Sequence, residues 1–246
     1  MLNDTLIVIP ARMASSRLPG KMLADVNGKP LIVRTFESAV AAAAGDVIVA
    51  SDGEDIANVI RAAGGKAILT DPNLPSGTDR VFSAWTKYDS ERKYKFIINL
   101  QGDLPFIDPD LIRIANKVAR NSDYDISTLA TPIRDDSYLQ ESVVKPVIAF
   151  TTKDHGKALY FSRSAIPFGG PFFHHVGIYC FRADKLRKFV NLPQGVLEKS
   201  EKLEQLRALE NNMIIGVRVV DVDPPLSIDT LDDLALVNFR VRSSAG

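Results

Sequence analysis

Four short, almost uninterrupted apolar runs, Leu6–Pro10, Val47–Ala50, Ala67–Leu69 and Phe96–Leu100, alternate with stretches of helical periodicity. A strand that is apolar at every position has both faces covered, so it belongs in a parallel sheet with crossover helices packed on it. The intervening stretches supply those helices. Pro30 suits the first position of a helix whose Val33, Phe36 and Val40 share a face. Ile56, Val59, Ile60 and Ala63 form a second stripe, closed by Gly64-Gly65 as a C-cap. A third helix covers Val81–Lys87, and a fourth carries Leu111, Ile114 and Val118 on one side.

After about Asp125 the alternation stops. Ile126–Thr131, Val143–Phe150 and Val176–Phe181 read as strands without full helices between them, which predicts an antiparallel extension beside the parallel sheet. Helices over Asp184–Val190 and roughly Glu198–Glu210, a strand over Ile214–Val222 and a helix from about Thr230 complete the chain. There are no repeats, low-complexity tracts or linkers, so 1–246 is expected to form one domain. The fold class is α/β, a mostly parallel sheet with an antiparallel extension.

With 30 basic and 30 acidic residues the net charge is zero, so no global basic field draws the chain to nucleic acid. Any cationic site has to be local. The single cysteine, Cys180, lies in an apolar run and is expected to pack in the core. No signal peptide is visible at the N-terminus, and no run approaches the roughly 18 apolar residues of a membrane span. These features set a cytoplasmic location as the expectation, without membrane insertion.

Chemistry is expected at the carboxyl ends of the strands, where open parallel sheets bind ligands. Directly after the first strand come Ala11-Arg12-Met13-Ala14-Ser15-Ser16-Arg17-Leu18-Pro19-Gly20-Lys21. Small residues let backbone N–H groups approach phosphate oxygens, Arg12 and Arg17 offer planar donor forks, and Lys21 offers a point charge. The spacing matches neither the P-loop nor G-x-G-x-x-G. After the third strand, Ser76-Gly77-Thr78-Asp79-Arg80 opens a helix; Gly77 allows close approach, Thr78 is a candidate cap, and Arg80 could reach a base or phosphate. After the fourth, Asn99-Leu100-Gln101-Gly102-Asp103 places a carboxylate at the sheet rim, suited to a hard cation such as Mg²⁺ or to a turn. Asp229 supplies a second acid just ahead of the last helix, where N-capping competes with metal binding. His155, His174 and His175 make no zinc pattern with Cys180, and neither a Ser-His-Asp set nor G-x-S-x-G is present.

Taken in order, these segments resemble the 3-deoxy-manno-octulosonate (Kdo) cytidylyltransferase family. The likeness extends through Gly28-Lys29-Pro30, Ala158-Leu159-Tyr160-Phe161-Ser162-Arg163, His175-Val176-Gly177-Ile178-Tyr179, Leu203-Glu204-Gln205-Leu206-Arg207 and Ile228-Asp229-Thr230. The resemblance implies a Rossmann-like nucleotidyltransferase three-layer fold, a homodimer, and Mg²⁺-dependent transfer of CMP from CTP to the 2-hydroxyl of Kdo for lipopolysaccharide synthesis. It implies a nucleotide-binding part over about 1–125 plus the C-terminal return, and a sugar-binding and dimerisation part over about 126–225. Residue by residue, it implies Arg12, Lys21, Asp103 and Asp229 as the catalytic set, the two aspartates holding metal. Ala11, Arg17, Ser76, Gly77 and Arg80 join Arg12 and Lys21 around the nucleotide. Gln101, Arg163, His175, Tyr179, Glu204 and Gln205 take the sugar acid. The family commonly has an acid after Gly-Asp, where this chain has Leu104. On the helix near Glu198–Glu210, Leu203, Leu206 and Leu209 mark the expected buried side, leaving Glu204 and Gln205 to reach outward. The rivals are a sialic-acid cytidylyltransferase and a non-catalytic nucleotide-sensing module.

Overall fold

The computed structural model describes residues 4–14, 18–120 and 123–244, with side chains as far as Phe239. The chain divides into two compact units, one of residues 1–113 with 225–246 and one of residues 114–224.

The first unit is built on strands β1 (Thr5–Ala11), β4 (Asp46–Ser51), β5 (Lys66–Leu69) and β6 (Phe96–Leu100). A small antiparallel ribbon, β2 (Asp25–Val26) with β3 (Lys29–Pro30), interrupts the first crossover. The four main strands are parallel and lie in the order β5-β4-β1-β6, with Ile7 facing Val47 on one side and Ile98 on the other. Every residue of β1 is buried, as its unbroken apolar run requires. Helices α1 (Leu31–Ala41), α2 (Glu54–Ala62) and α3 (Gly77–Tyr88) pack against these strands. α2 ends as expected at Gly64-Gly65: Gly65 N–H donates to Ile60 O and Gly64 N–H to Arg61 O, the reciprocal bonds of a Schellman cap.

Two helix faces differ from the pattern read in the sequence. In α1 the buried set is Leu31, Ile32, Val33, Thr35, Phe36 and Ala39, while Val40 is 51% exposed. Thr35 turns inward because its hydroxyl donates to Gly102 O at 2.9 Å. In α4 (Pro109–Arg120), Leu111, Ile112, Ala115 and Ala119 are buried, and Ile114 and Val118 only half-buried. Pro30 stands just before α1 and closes the ribbon rather than opening the helix.

The second unit begins within α4 and holds a mixed sheet. Its strands are β7 (Ile126–Pro132), β8 (Lys145–Phe150), β9 (His155–Ser162), β10 (Phe173–Arg182) and β11 (Ile215–Val219), in the order β10-β7-β11-β9-β8. Only β7 and β11 run parallel; the other pairs are antiparallel. β9 had no counterpart among the expected strands. Its alternation is blurred by Lys157 and Gly156 and by an irregularity in its pairing with β8. α5 (Ala183–Val190) agrees with expectation, whereas the helix expected over Glu198–Glu210 is two short ones, α6 (Val196–Glu201) and α7 (Leu206–Glu210). Lys202, with φ +55°, makes the break. The last helix, α8 (Leu231–Ser244), returns to the first unit, where Asn238 bonds Asn27 N and Asp25 O beside the ribbon. Among the described residues, no helix is long and apolar enough to cross a membrane.

Candidate active site

In chain order β1, β4 and β5 step outward in one direction, and β6 then joins the other edge of β1. Two neighbouring strands whose connections leave in opposite directions open a crevice at their carboxyl ends. A cavity of about 280 Å³ lies there, lined from β1 by Pro10, Ala11 and Arg12 and from the β6 end by Gln101, Gly102 and Asp103. Lys21, Ser76, Gly77, Arg80 and Asp229 complete the named polar lining.

Lys21 occupies its centre. Gly20 adopts φ +69°, a left-handed conformation that suits glycine, and starts a tight turn over Lys21–Leu23. The turn leaves the Lys21 side chain only 8% exposed, with Nζ 2.9 Å from Asp103 Oδ2 and 2.9 Å from Asp229 Oδ1. Burial alone would lower the Lys21 pKa, but the two carboxylates outweigh it and hold the ammonium above its ordinary value.

Both acids are placed by backbone packing. A Cβ on Gly102 would sit 3.0 Å from Pro10 O and 3.1 Å from Met22 Sδ, so glycine lets the β6 end close against β1. Ile228 N–H donates to Asp103 O at 3.0 Å, tying the C-terminal return beside it. The competing N-cap role for Asp229 is taken by its neighbour: Thr230 Oγ1 accepts from Asp233 N–H, while Asp233 Oδ2 accepts from the backbone N–H groups of Asp229 and Thr230. That reciprocal cap leaves the Asp229 side chain directed to Lys21.

The other nucleotide-side residues fall around the same cavity. Arg12 is exposed on its rim. Ser76, rather than Thr78, caps α3, its Oγ accepting from Asp79 N–H at 3.1 Å. Thr78 is buried and accepts from Asn99 Nδ2, and Gln101 Nε2 donates to Asn99 Oδ1, so a short relay orients Gln101. Arg80 is buried; its guanidinium donates to Thr70 Oγ1 at 2.5 Å and to the carbonyls of Asp71 and Pro72. Burial lowers its pKa. Arg17 lies outside the described residues. Asp52, not singled out from sequence, accepts the Met13 N–H on both carboxylate oxygens, at 3.2 and 3.0 Å, and so latches the loop beside Arg12. Its position after β4, at the carboxyl end of a neighbouring parallel strand, was the available signal.

Of the six sugar-side candidates, Gln101 belongs to the first unit and five to the second. Between Val176 and Tyr179 the β10–β7 register shifts, leaving Gly177 and Ile178 unmatched. Thr128 Oγ1 donates across this bulge to Ile178 O at 2.7 Å and lies 2.9 Å from His175 Nε2. With its one proton so used, the hydroxyl accepts from His175, which assigns the neutral Nε2–H tautomer. Burial, helped by His174, pushes His175 down to about 3. Its ring packs edge-on to Phe161 and 5.2 Å from Tyr179. Burial, then Glu204, raises the Tyr179 pKa. Gln205 is buried rather than reaching outward, and Leu209 is half-buried. Arg163 donates from Nε to Glu201 O and from Nη1 to Glu141 O. Leu104, where the family commonly has an acid, is buried. Cys180 is fully buried, and desolvation pushes its thiol up to about 12, in keeping with core packing.

Two hard-oxygen side chains sharing one cation suit Mg²⁺, which takes one or two carboxylates and completes its shell with phosphate and water. Among the described residues no group of three or more His, Cys, Asp or Glu stands ready as a full protein cage.

A doubly wound parallel sheet with a cation-centred crevice at its reversal point defines the nucleotidyltransferase class, and the cytidylyltransferase family model matches residues 6–215. The chain is 49% identical over 233 residues to the 3-deoxy-manno-octulosonate cytidylyltransferase of Rhodospirillum rubrum, covering 93% of this chain and 92% of that one. With the same-named protein of Parvibaculum lavamentivorans it shares 50% over 236 residues, covering 95% and 91%. The solved structure of CMP:2-keto-3-deoxy-manno-octonic acid synthetase complexed with CTP aligns with a TM-score of 0.88 and 36% identity, covering 98% of this chain and 100% of that one. The chain belongs to the 3-deoxy-manno-octulosonate cytidylyltransferase family.

Proposed function

We propose that the protein transfers CMP from CTP to the anomeric 2-hydroxyl of Kdo, giving CMP-Kdo and diphosphate for lipopolysaccharide biosynthesis. The observation that carries the reading is the clasp of Lys21 between Asp103 and Asp229 in a chain whose full-length relatives bear this activity in their names.

The difficulty of the reaction is electrostatic. A hydroxyl beside a carboxylate attacks an anionic α-phosphate, and two unit charges about 4 Å apart repel by roughly 4 kcal/mol at an effective dielectric near 20. At about 1.4 kcal/mol per decade, one uncompensated contact costs nearly three powers of ten in rate. Positive charge therefore matters before any base. Arg12 and Lys21 hold the phosphates and orient the leaving diphosphate, with Ala11, Arg17, Ser76, Gly77 and Arg80 around the nucleotide. Asp103 and Asp229 would hold Mg²⁺. When bound, that ion supplies further positive charge to the phosphate and to the sugar's oxygen atoms. Arg163 meets the sugar carboxylate, while Gln101, His175, Tyr179, Glu204 and Gln205 supply donors and acceptors for its hydroxyls. A neutral His175 fits that task, since it offers both a donor and an acceptor nitrogen.

The nucleotide part is taken as about 1–125 plus the C-terminal return and the sugar and dimerisation part as about 126–225, in a cytoplasmic homodimer with no nucleic-acid partner. Light scattering on the purified protein tests the dimer. A coupled diphosphate-release assay with CTP and Mg²⁺ tests the reaction: release with Kdo and little with sialic acid is expected. No release with Kdo would overturn the reading.

A further inference from the structure

Four charged side chains of the second unit have no place in the transfer reaction: Lys145, Glu198, Glu201 and Arg207. All four converge on α6 or on Arg163. α6 has six residues, too few to persist on helical propensity alone. It is held from outside at both ends and in the middle. Near its start, the Glu210 carboxylate accepts from the N–H groups of Leu197 and Glu198 at 3.0 and 3.2 Å. Further along, buried Glu198 takes a two-pronged bond from Arg207, Nε at 2.9 Å and Nη2 at 2.6 Å, with the guanidinium 4.9 Å over the Phe189 ring. Arg207 Nη2 also lies 3.8 Å from Glu204 Oε1.

At its last residue, Glu201, the helix grips the end of β9. One carboxylate oxygen accepts from Ser162 Oγ at 2.7 Å and the other from Arg163 N–H at 3.0 Å. The backbone carbonyl of Glu201 then accepts from Arg163 Nε, also at 3.0 Å. Beyond it, the left-handed Lys202 turns the chain directly into Leu203, Glu204 and Gln205. On its far side Arg163 donates to Glu141 O, and fully buried Lys145 donates to Arg163 O, Gln140 O and Val143 O, fixing the turn that receives it.

We infer that Glu201 is the positioning residue of the sugar-acid side, setting the Arg163 guanidinium in place and tying it through α6 to Glu204 and Gln205. The inference rests on the proposed role of Arg163 toward the sugar carboxylate. Its physical basis is the choice of partners. A carboxylate placed for ion-pair strength would meet the guanidinium fork on two prongs and neutralise it. Here the Glu201 carboxylate is spent on a hydroxyl and a main-chain N–H, while the guanidinium is aimed by neutral carbonyls. Direction is fixed and the positive charge is left to act on an anionic ligand. Buried charges are also poor stabilisers compared with apolar packing, so stability alone is a weak reason for this network.

Steady-state kinetics on Glu201→Gln, which keeps size but turns an acceptor into a donor, reads the effect. KM for Kdo should rise about tenfold while KM for CTP stays within about twofold. Ser162→Ala, a milder change that tests the same carboxylate should Glu201→Gln fail to fold, should raise KM for Kdo about threefold. Added to Arg163→Ala, Glu201→Gln should have no further effect on Kdo. A lowered melting temperature with unchanged KM for Kdo, or additive effects in the double variant, overturns the inference. Arg163→Ala separates the two failures. If it leaves KM for Kdo unchanged, the sugar role of Arg163 falls and the inference with it. If it raises KM while Glu201→Gln and Ser162→Ala do not, the inference alone falls.

Discussion

The two units treat positive charge in opposite ways. In the first, the Lys21 ammonium meets two carboxylates at the open carboxyl ends of parallel strands. In the second, Lys145 and Arg163 are fixed chiefly by main-chain carbonyls, and His175 is kept neutral. Carboxylates facing a cavity can exchange one cation for another, so the first arrangement suits phosphates and a metal ion that come and go. Carbonyls belong to the backbone and cannot leave, so the second suits a ligand recognised by shape and hydrogen bonding. One site is built for electrostatic adjustment and the other for fixed geometry.

That contrast breaks first at the acids. Asp103→Asn and Asp229→Asn should each lower turnover by about three powers of ten, from the repulsion left uncompensated, while the far-ultraviolet spectrum stays native. Near-normal diphosphate release from either variant would remove that residue from the mechanism. Next comes the cation: Lys21→Met should reduce kcat/KM for CTP by about a hundredfold with the Kdo KM little changed. Equal losses for both substrates would erase the distinction between the two regions. A smaller and opposite selectivity is expected for Glu204→Ala, about a tenfold rise in the Kdo KM with CTP unaffected. Should CTP suffer instead, the assignment of Glu204 is wrong.

The smallest effect is on stability. An unfolded histidine gains a proton below about 6.5, whereas His175 in the folded chain stays neutral down to about 3. Its folded pKa is depressed, so the associated stability is complete above 6.5 and is lost as the pH falls from 6.5 toward 3. Burial also lowers His174, which adds to the same trend. Urea unfolding of His175→Gln at several pH values should show a shallower acid decline than the parent chain. An unchanged slope would show that His175 titrates normally.

The same contrast explains what could be read before folding. The parallel half was legible because strands buried on both faces are continuous apolar runs, and β1, β4, β5 and β6 contain the four expected ones. Helix faces were less so. In α1 and α4 the inward residues include Thr35, Ala39, Ala115 and Ala119, small or polar side chains that a search for large apolar residues passes over. In the second unit β9 was missed and one expected helix was broken at Lys202, since neither a paired irregular strand nor a left-handed lysine has a local signature. The nucleotide-side acids could be named from their places after a strand and before a helix. Whether Asp229 capped that helix or faced Lys21 depended on Thr230 and Asp233 forming the cap between themselves. Glu201 and Asp52 went unnoticed because each acts on a backbone N–H distant in sequence.

Anomalous diffraction from crystals grown with CTP and Mn²⁺ tests the central claim most directly. The account predicts a metal peak within coordination distance of both the Asp103 and Asp229 carboxylates and of CTP phosphate oxygens, with the Lys21 ammonium turned to the phosphates. A metal bound elsewhere, with Lys21 still clasped between the two acids, would contradict it.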